Sequence, residues 1–293
     1  MLIPPPPAPE HDRILLVGDI VGKPGTQFVC QAAMWLKKQL NLAALIVNAE
    51  NSADGSGLTL KDYQRLISAG VDVITMGDHI YRKREIMEVL DSKPNIVRPA
   101  NFPPTASGKK WCVLELNQGP RLYVVSLIGR VFMKPVDCPF HAAEKVLEEI
   151  RQHEASRAAA IPTMTTDVPR AHFVVIDFHA EATSDKQLMG RMLDGRVTGV
   201  LGTHTHVTTA DDQILPRGTA FQCDVGMTGA FEGILGRKID SVLEATLTLN
   251  PVSFSVATQD VRLCGTWIDA CRKTGLCSAI GRIVLRENEL GTS

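Results

Sequence analysis

The stretch RILLVGD, residues 13–19, decides how the chain is read: an apolar run suited to a buried strand stops at an aspartate. Behind it, TQFVCQAAMWLKKQL (26–40) repeats Phe28, Ala32, Trp35 and Leu36 at helical spacing. The scheme then recurs. ALIVNAEN (44–51) precedes LTLKDYQRLISAG (58–70), where Thr59 and Asp62 predict a capping box and Gly70 a stop, and VDVITMGDH (71–79) opens a third cycle. Strand and helix in alternation predict an α/β domain. Further on, KWCVLEL (110–116) and RLYVVSLIG (121–129) predict a hairpin around Gly119, and a helix is expected near 141–152. Residues 153–171, rich in Ala, Thr and Pro, read as a loop or insertion. HFVVIDFH (172–179) and GVLGTHTH (199–206) resume the buried strands. VLEATLTLN (242–250), SFSVATQDVRLCGTWI (253–268) and SAIGRIVLRE (278–287) read as strand-rich, forming a second sheet.

Composition narrows the function. The chain has 293 residues, 44% of them hydrophobic, enough for one large core. Its 31 Lys and Arg nearly balance 32 Asp and Glu, so no global field favours nucleic acid or an anionic membrane as an obligatory partner. The opening MLIPPPPAPEH reads as a flexible Pro-rich tail over residues 1–12, without the pattern of a secretory signal. No run approaches the roughly 18 apolar residues of a membrane span. Seven cysteines without a CxxC pair do not read as a disulfide framework, which makes the cytoplasm the expected compartment. Cys264, Cys271 and Cys277 fit no structural zinc spacing.

The feature that demands explanation is how the strands end. Each of five apolar runs closes on residues able to bind metal: Asp19, Glu50 with Asn51, Asp78 with His79, His179, and His204 with His206. In open α/β sheets the carboxyl ends of strands project side chains into one crevice, so distant positions can converge. Taken singly, each residue has a plainer reading as a turn former, a helix cap, a core histidine or a surface pair. An extended HxH would put His204 and His206 on one face, about 6.6 Å apart. Imidazole with carboxylate and amide oxygen, without thiolate, suits iron, manganese, zinc or cobalt. So many ligands exceed one ion and suit two sharing a bridging carboxylate, about 3.5–4 Å apart, which activate water and hold phosphoryl oxygens. The expected reaction is hydrolysis of a phosphate ester by hydroxide held between the ions.

The motifs GD (18–19), NAEN (48–51), GDH (77–79), RPANFP (98–103), DFHAEATS (177–184), GTHTH (202–206) and DVGMTG (224–229) resemble the YmdB-like branch of the calcineurin-like metallophosphoesterases, over about residues 13 to 285. The resemblance implies a four-layer sandwich, two mixed β-sheets flanked by helices, as one domain over 13–288. It implies Asp19, Glu50, Asn51 and His206 around one ion, and Asp78, His179, His204 and the bridging Glu50 around the other. His79 is implied as the acid that protonates the leaving oxygen. The implied cofactors are two divalent transition-metal ions, iron or manganese, and the implied substrates are phosphodiesters, notably 2',3'- and 3',5'-cyclic nucleotides. A homo-oligomer is expected. The alternatives are a phosphomonoesterase such as a 5'-nucleotidase, and a non-catalytic nucleotide- or partner-binding regulator. The family usually carries Asn where this chain has Asp78, and the extra charge should tighten a divalent ion while making the site less electrophilic. GMTG (226–229) and the GKPG (22–25) helix start are candidate phosphate contacts. Arg98 and Asn101 are candidate substrate contacts.

Overall fold

The computed structural model describes residues 3–117, 119–160 and 172–291. Its first strand, β1 (His11–Val17), begins ahead of Arg13 and sends Leu15 and Val17 into one apolar layer and Ile14 and Leu16 into another. Neighbouring residues of a strand face opposite ways, so burial on both faces makes the run continuously apolar. The short β2 (Asp19–Ile20) leads into α1 (Gly22–Leu40), whose Phe28, Ala32 and Leu36 cover Leu15 and Val17. There follow β3 (Leu42–Asn48), α2 (Leu60–Ser68), β4 (Val73–Thr75), α3 (Ile86–Ser92) and β5 (Ile96–Val97), and β1, β3, β4 and β5 lie side by side and parallel. Thr59 caps α2 as expected, its hydroxyl oxygen accepting from the Asp62 N–H at 3.1 Å. Gly70 follows with φ of 104°, a conformation that favours glycine.

The expected hairpin, β6 (Trp111–Glu115) and β7 (Arg121–Ile128), opens a second sheet. Next come α4 (Pro139–Ala160), β8 (Phe173–His179), α5 (Thr183–Leu193), β9 (Gly199–Thr203), β10 (Gln213–Ile214) and β11 (Ala220–Gln222). This sheet runs β10-β11-β9-β8-β7-β6, with β7, β8, β9 and β11 parallel. Helix α4 outruns the segment expected to be helical, so residues 153–160 are not loop. Arg157 pairs with Glu115 and Glu154 with Arg121, which fastens the extra turns to the hairpin. Residues 161–171, the rest of the expected loop, lie outside the described residues.

The C-terminal third departs most from the sequence reading. After β12 (Met227–Ala230), VLEATLTLN belongs to a helix, α6 (Ile239–Thr248). Its apolar residues fit either period, alternating at 243, 245, 247 and 249 but also recurring every fourth residue from Ile239. β13 (Val261–Cys271) and β14 (Cys277–Arg286) are strands, yet they do not build a second sheet. β13 pairs antiparallel with β1 and β12, giving an eight-stranded sheet ordered β2-β12-β13-β1-β3-β4-β5 with β14 beside β13.

The two sheets face each other through Ile14, Leu16, Ile46 and Val73 on one side and Leu122, Val124, Phe173 and Val175 on the other. The outer face of the second sheet is closed by Ala143 and Val146 of α4 and Met189 and Leu193 of α5. The result is the expected helix–sheet–sheet–helix sandwich of two mixed β-sheets. Among the described residues no helix is long and apolar enough to cross a membrane.

Candidate metal centre

Where β3, β4, β8 and β9 end, a polar seam joins the two sheets. Asp177 of β8 is fully buried, and its carboxylate accepts from Asn48 Nδ2 at 2.9 Å, Thr75 Oγ1 at 2.5 Å and Thr203 Oγ1 at 2.6 Å. Four strands from two sheets are held in register by these bonds. The sequence reading passed over these residues, although each is a polar side chain inside an apolar run.

Directly above the seam stand three histidines, each tethered by one ring nitrogen. His179 Nδ1 lies 2.9 Å from Thr203 Oγ1. The threonine proton goes to Asp177, so its oxygen accepts the Nδ1–H and the His179 Nε2 is left to face the carboxylates. His204 Nε2 meets Glu181 Oε2 at 3.1 Å, and His206 Nδ1 donates to the Leu235 carbonyl at 3.2 Å. The untethered nitrogens therefore turn inward. His179 Nε2 sits 3.0 Å from His204 Nδ1, 3.2 Å from Asp78 Oδ1 and 3.3 Å from Glu50 Oε1, while His206 Nε2 is 3.9 Å from Asp19 Oδ1. Two imidazole nitrogens 3.0 Å apart must share a proton or a metal ion. Although burial would lower the His179 pKa, Glu50, Asp78 and Asp19 raise it well above its ordinary value and so favour positive charge at this point.

The carboxylates are buried to match. Glu50 is fully buried; burial alone would raise its pKa, but His179 and His79 hold it well below the usual range. Its Oε1 accepts from Asn51 Nδ2 at 3.1 Å and its Oε2 from the His79 N–H at 3.0 Å. Asp19 is equally buried, and desolvation pushes its pKa up to about 8. One of its oxygens, Oδ2, accepts the His204 N–H at 3.0 Å, whereas Oδ1 has no hydrogen-bond partner among the described residues. A buried carboxylate oxygen left over in this way fits a cation ligand. Ligand atoms of Glu50, Asp78, His179 and His204 all lie within 4.8 Å of one another, a set able to hold a metal ion. Gly77 belongs to the same fit, since a Cβ there would stand 2.4 Å from Glu50 Oε2 and 2.5 Å from His179 Nε2.

All eight residues singled out in the sequence thus converge around Glu50: Asn51, His79 and His179 contact it directly, Asp78 and His204 meet His179, and Asp19 and His206 close the group. Their local geometry differs from expectation at one point. β9 stops at Thr203, and His204 and His206 adopt φ of 96° and 64°, so the HxH segment is not extended. Buried Asp224 holds this uncommon backbone: its Oδ2 accepts from Thr205 N at 2.9 Å and Thr205 Oγ1 at 2.8 Å, and Lys186 Nζ balances it at 2.8 Å. Strain held by its surroundings is typical of functional sites. His79 Nδ1 is 2.7 Å from Asn51 Oδ1, and Asn51 is itself oriented by its bond to Glu50. The His79 side chain is the most exposed of the eight, at 27%.

The other candidates hold structure. GMTG is largely β12, and the aspartate ahead of it is the Asp224 that pins the HTH backbone. Asn101 spans the Ile128 and Asp137 carbonyls at 2.8 and 3.0 Å. Helix α1 does start at Gly22, but that first N–H donates to the Asn51 carbonyl at 2.8 Å.

A two-sheet α/β sandwich with buried carboxylates and imidazoles gathered at its strand ends is a phosphatase-type architecture. The family model of YmdB-like proteins matches residues 15–283, and the chain belongs to that family. It is 42% identical over 278 residues to the 2',3'-cyclic-nucleotide 2'-phosphodiesterase of Bacillus subtilis (strain 168), covering 95% of this chain and 98% of that one. A crystal structure of a hypothetical protein from Thermus thermophilus superposes with a TM-score of 0.82 at 36% identity, covering 94% and 99% of the two chains. That of a novel phosphatase from Mycoplasma pneumoniae also gives 0.82, at 29% identity and 94% coverage of each.

Proposed function

We propose that this protein is a cytoplasmic, dinuclear metal-dependent phosphodiesterase that hydrolyses cyclic nucleotides of the 2',3' and 3',5' kinds. The observation that carries the reading is the inward facing of one ring nitrogen each of His179, His204 and His206 among Asp19, Glu50 and Asp78. Asp19, Asn51 and His206 would hold one ion, Asp78, His179 and His204 the other, and Glu50 both. Two such ions, iron or manganese as the family resemblance implies, would supply a water acidic enough to ionise near neutral pH and a clamp for phosphoryl oxygens. The likeness to a 2',3'-cyclic-nucleotide 2'-phosphodiesterase supports the substrate class.

The protein's own part is positioning and proton supply. Asn51 Oδ1 fixes the proton on His79 Nδ1 and so turns Nε2 toward the opening. Glu50 Oε1, 3.4 Å from Nδ1, and then Asp78 Oδ2, 3.7 Å from Nε2, raise the His79 pKa and favour the imidazolium form. His79 Nε2–H is then placed to donate to the departing ribose oxygen, a role worth about 10²–10⁴ in rate. Turnover of 2',3'-cyclic AMP by His79→Ala protein, with metal content measured alongside, tests this. A fall in kcat with metal retained is expected, and full activity would remove His79 from the reaction. Faster hydrolysis of bis-p-nitrophenyl phosphate than of p-nitrophenyl phosphate separates the diesterase from a monoesterase.

The homo-oligomer has a face in α6. No residue of this helix is buried, and Ile239, Leu243 and Leu247, 45%, 52% and 74% exposed, recur every fourth position along one stripe. A helix this short is not stable alone in water, which argues for a second copy covering the stripe. Leu247→Glu should lower the mass measured by light scattering.

A further inference from the structure

RPANFP, which the metal centre leaves without chemistry, lines a cavity of about 510 Å³ closed on its other side by the first turns of α4. The cavity shares no residue with the eight-residue cluster. Arg98 forms one wall and is only 3% exposed. Its Nε donates to the Gly108 carbonyl at 3.0 Å and its Nη1 to the Pro99 carbonyl at 2.8 Å. Nη2 has no partner among the described residues, and no carboxylate there pairs with the guanidinium. Two carbonyl dipoles offset part of the cost of burying this charge, and Nη2 is left to reach the cavity, where an anion would complete its hydrogen bonding.

The surroundings add positive potential. Lys145 and His141 face the cavity from α4 and have no partner among the described residues, and Lys110 lines it while paired with Glu149. Cys138 and Ala142 bring the N-terminal end of a 22-residue helix to the same space, where its dipole favours an anion. Asp137 is the one acidic residue in the lining, and it is solvent-exposed. Phe102, Ala100 and Val146 give the lining an apolar part. A cavity of this size suits a ligand of mononucleotide dimensions.

We infer that this cavity is a second anion site, separate from the metal centre, which binds a nucleoside monophosphate with its phosphate on Arg98 and Lys145 and its base against Phe102. Arginine's fork and a lysine point charge are a common pairing for a phosphate monoester. Full-length protein is titrated calorimetrically with adenosine 5'-monophosphate, once with its metals restored and once after chelation. Phosphate held by the metal centre needs the ions, whereas phosphate held by the cavity does not. Binding should survive chelation and weaken about tenfold or more in Lys145→Glu and in Arg98→Lys. Hydrolysis of bis-p-nitrophenyl phosphate by Lys145→Glu should stay at the wild-type rate. Binding abolished by chelation, or unchanged in Lys145→Glu, would overturn the second site and leave the phosphodiesterase reading standing.

Discussion

The second sheet carries a polar cluster at each end, and the two are built on opposite terms. At the end away from the metal centre, Arg121 grips both oxygens of Glu154, Tyr123 donates to the same carboxylate, and His153 Nδ1 lies 2.6 Å from the Tyr123 hydroxyl. Trp111 closes over the rings. Charges cancel there and donors meet acceptors. At the other end, Asp19, Glu50 and Asp78 pair with no lysine or arginine among the described residues, and histidine nitrogens face one another. One cluster is complete as folded, while the other is a set of groups able to hold a metal ion. An unsatisfied polar group is expensive, so where several are gathered the surrounding fold is holding them for a task.

Substitutions should therefore act on different observables at the two ends. The largest effect is expected from Glu50→Gln, which removes the carboxylate proposed to hold both ions. Elemental analysis should find the ions depleted, and turnover should fall by about 10³ or more. Wild-type metal content in this variant would contradict the shared ligand. Glu181→Gln comes next. It weakens the tether of His204 without touching an inward-facing atom, and second-sphere changes of this kind cost about 10- to 100-fold in metal affinity or activity. Restoring activity with excess metal would mark Glu181 as a positioning residue.

The smallest effects belong to the complete cluster. Glu154→Gln should lower stability by about 1–3 kcal/mol with no change in kcat, read from urea unfolding. It should also alter the acid limb. Burial would raise the Glu154 pKa, but Arg121 and Tyr123 bring it below its ordinary value of 4.5. A carboxyl depressed in the folded state stabilises the protein above its unfolded pKa and loses that contribution as pH falls through its folded value. The wild type should thus lose stability below about pH 4.5 more steeply than the variant. Parallel curves would show that Glu154 contributes packing alone.

How much of this was legible follows from which forces fix each element. β1, β3, β4, β8 and β9 announce themselves because burial on both faces needs unbroken apolar runs, and parallel strands deliver their last residues to one edge. That is why Asp19, Glu50, Asp78, His179 and the two later histidines could be picked from linear order. The backbone at His204 and His206 could not, since its positive φ is imposed by Asp19, Asp224 and Lys186, all remote in sequence. Glu181 sat unnoticed inside DFHAEATS because its partner, His204, lies a helix and a strand further on. β13 was recognised as a strand but given to the wrong sheet, as its antiparallel pairing with β1 leaves no trace in periodicity. Helix α6 went wrong because an exposed apolar stripe carries no burial pattern to choose between the two periods.

The seam at Asp177 has a temporal implication. Under the proposed ligand set, ions are gripped by residues spread from Asp19 to His206, drawn from both sheets and brought opposite one another by that seam. A nascent polypeptide leaving the ribosome would offer no competent trap until its two halves have docked, so metal loading would be a late event in maturation and a chemical report that assembly has succeeded.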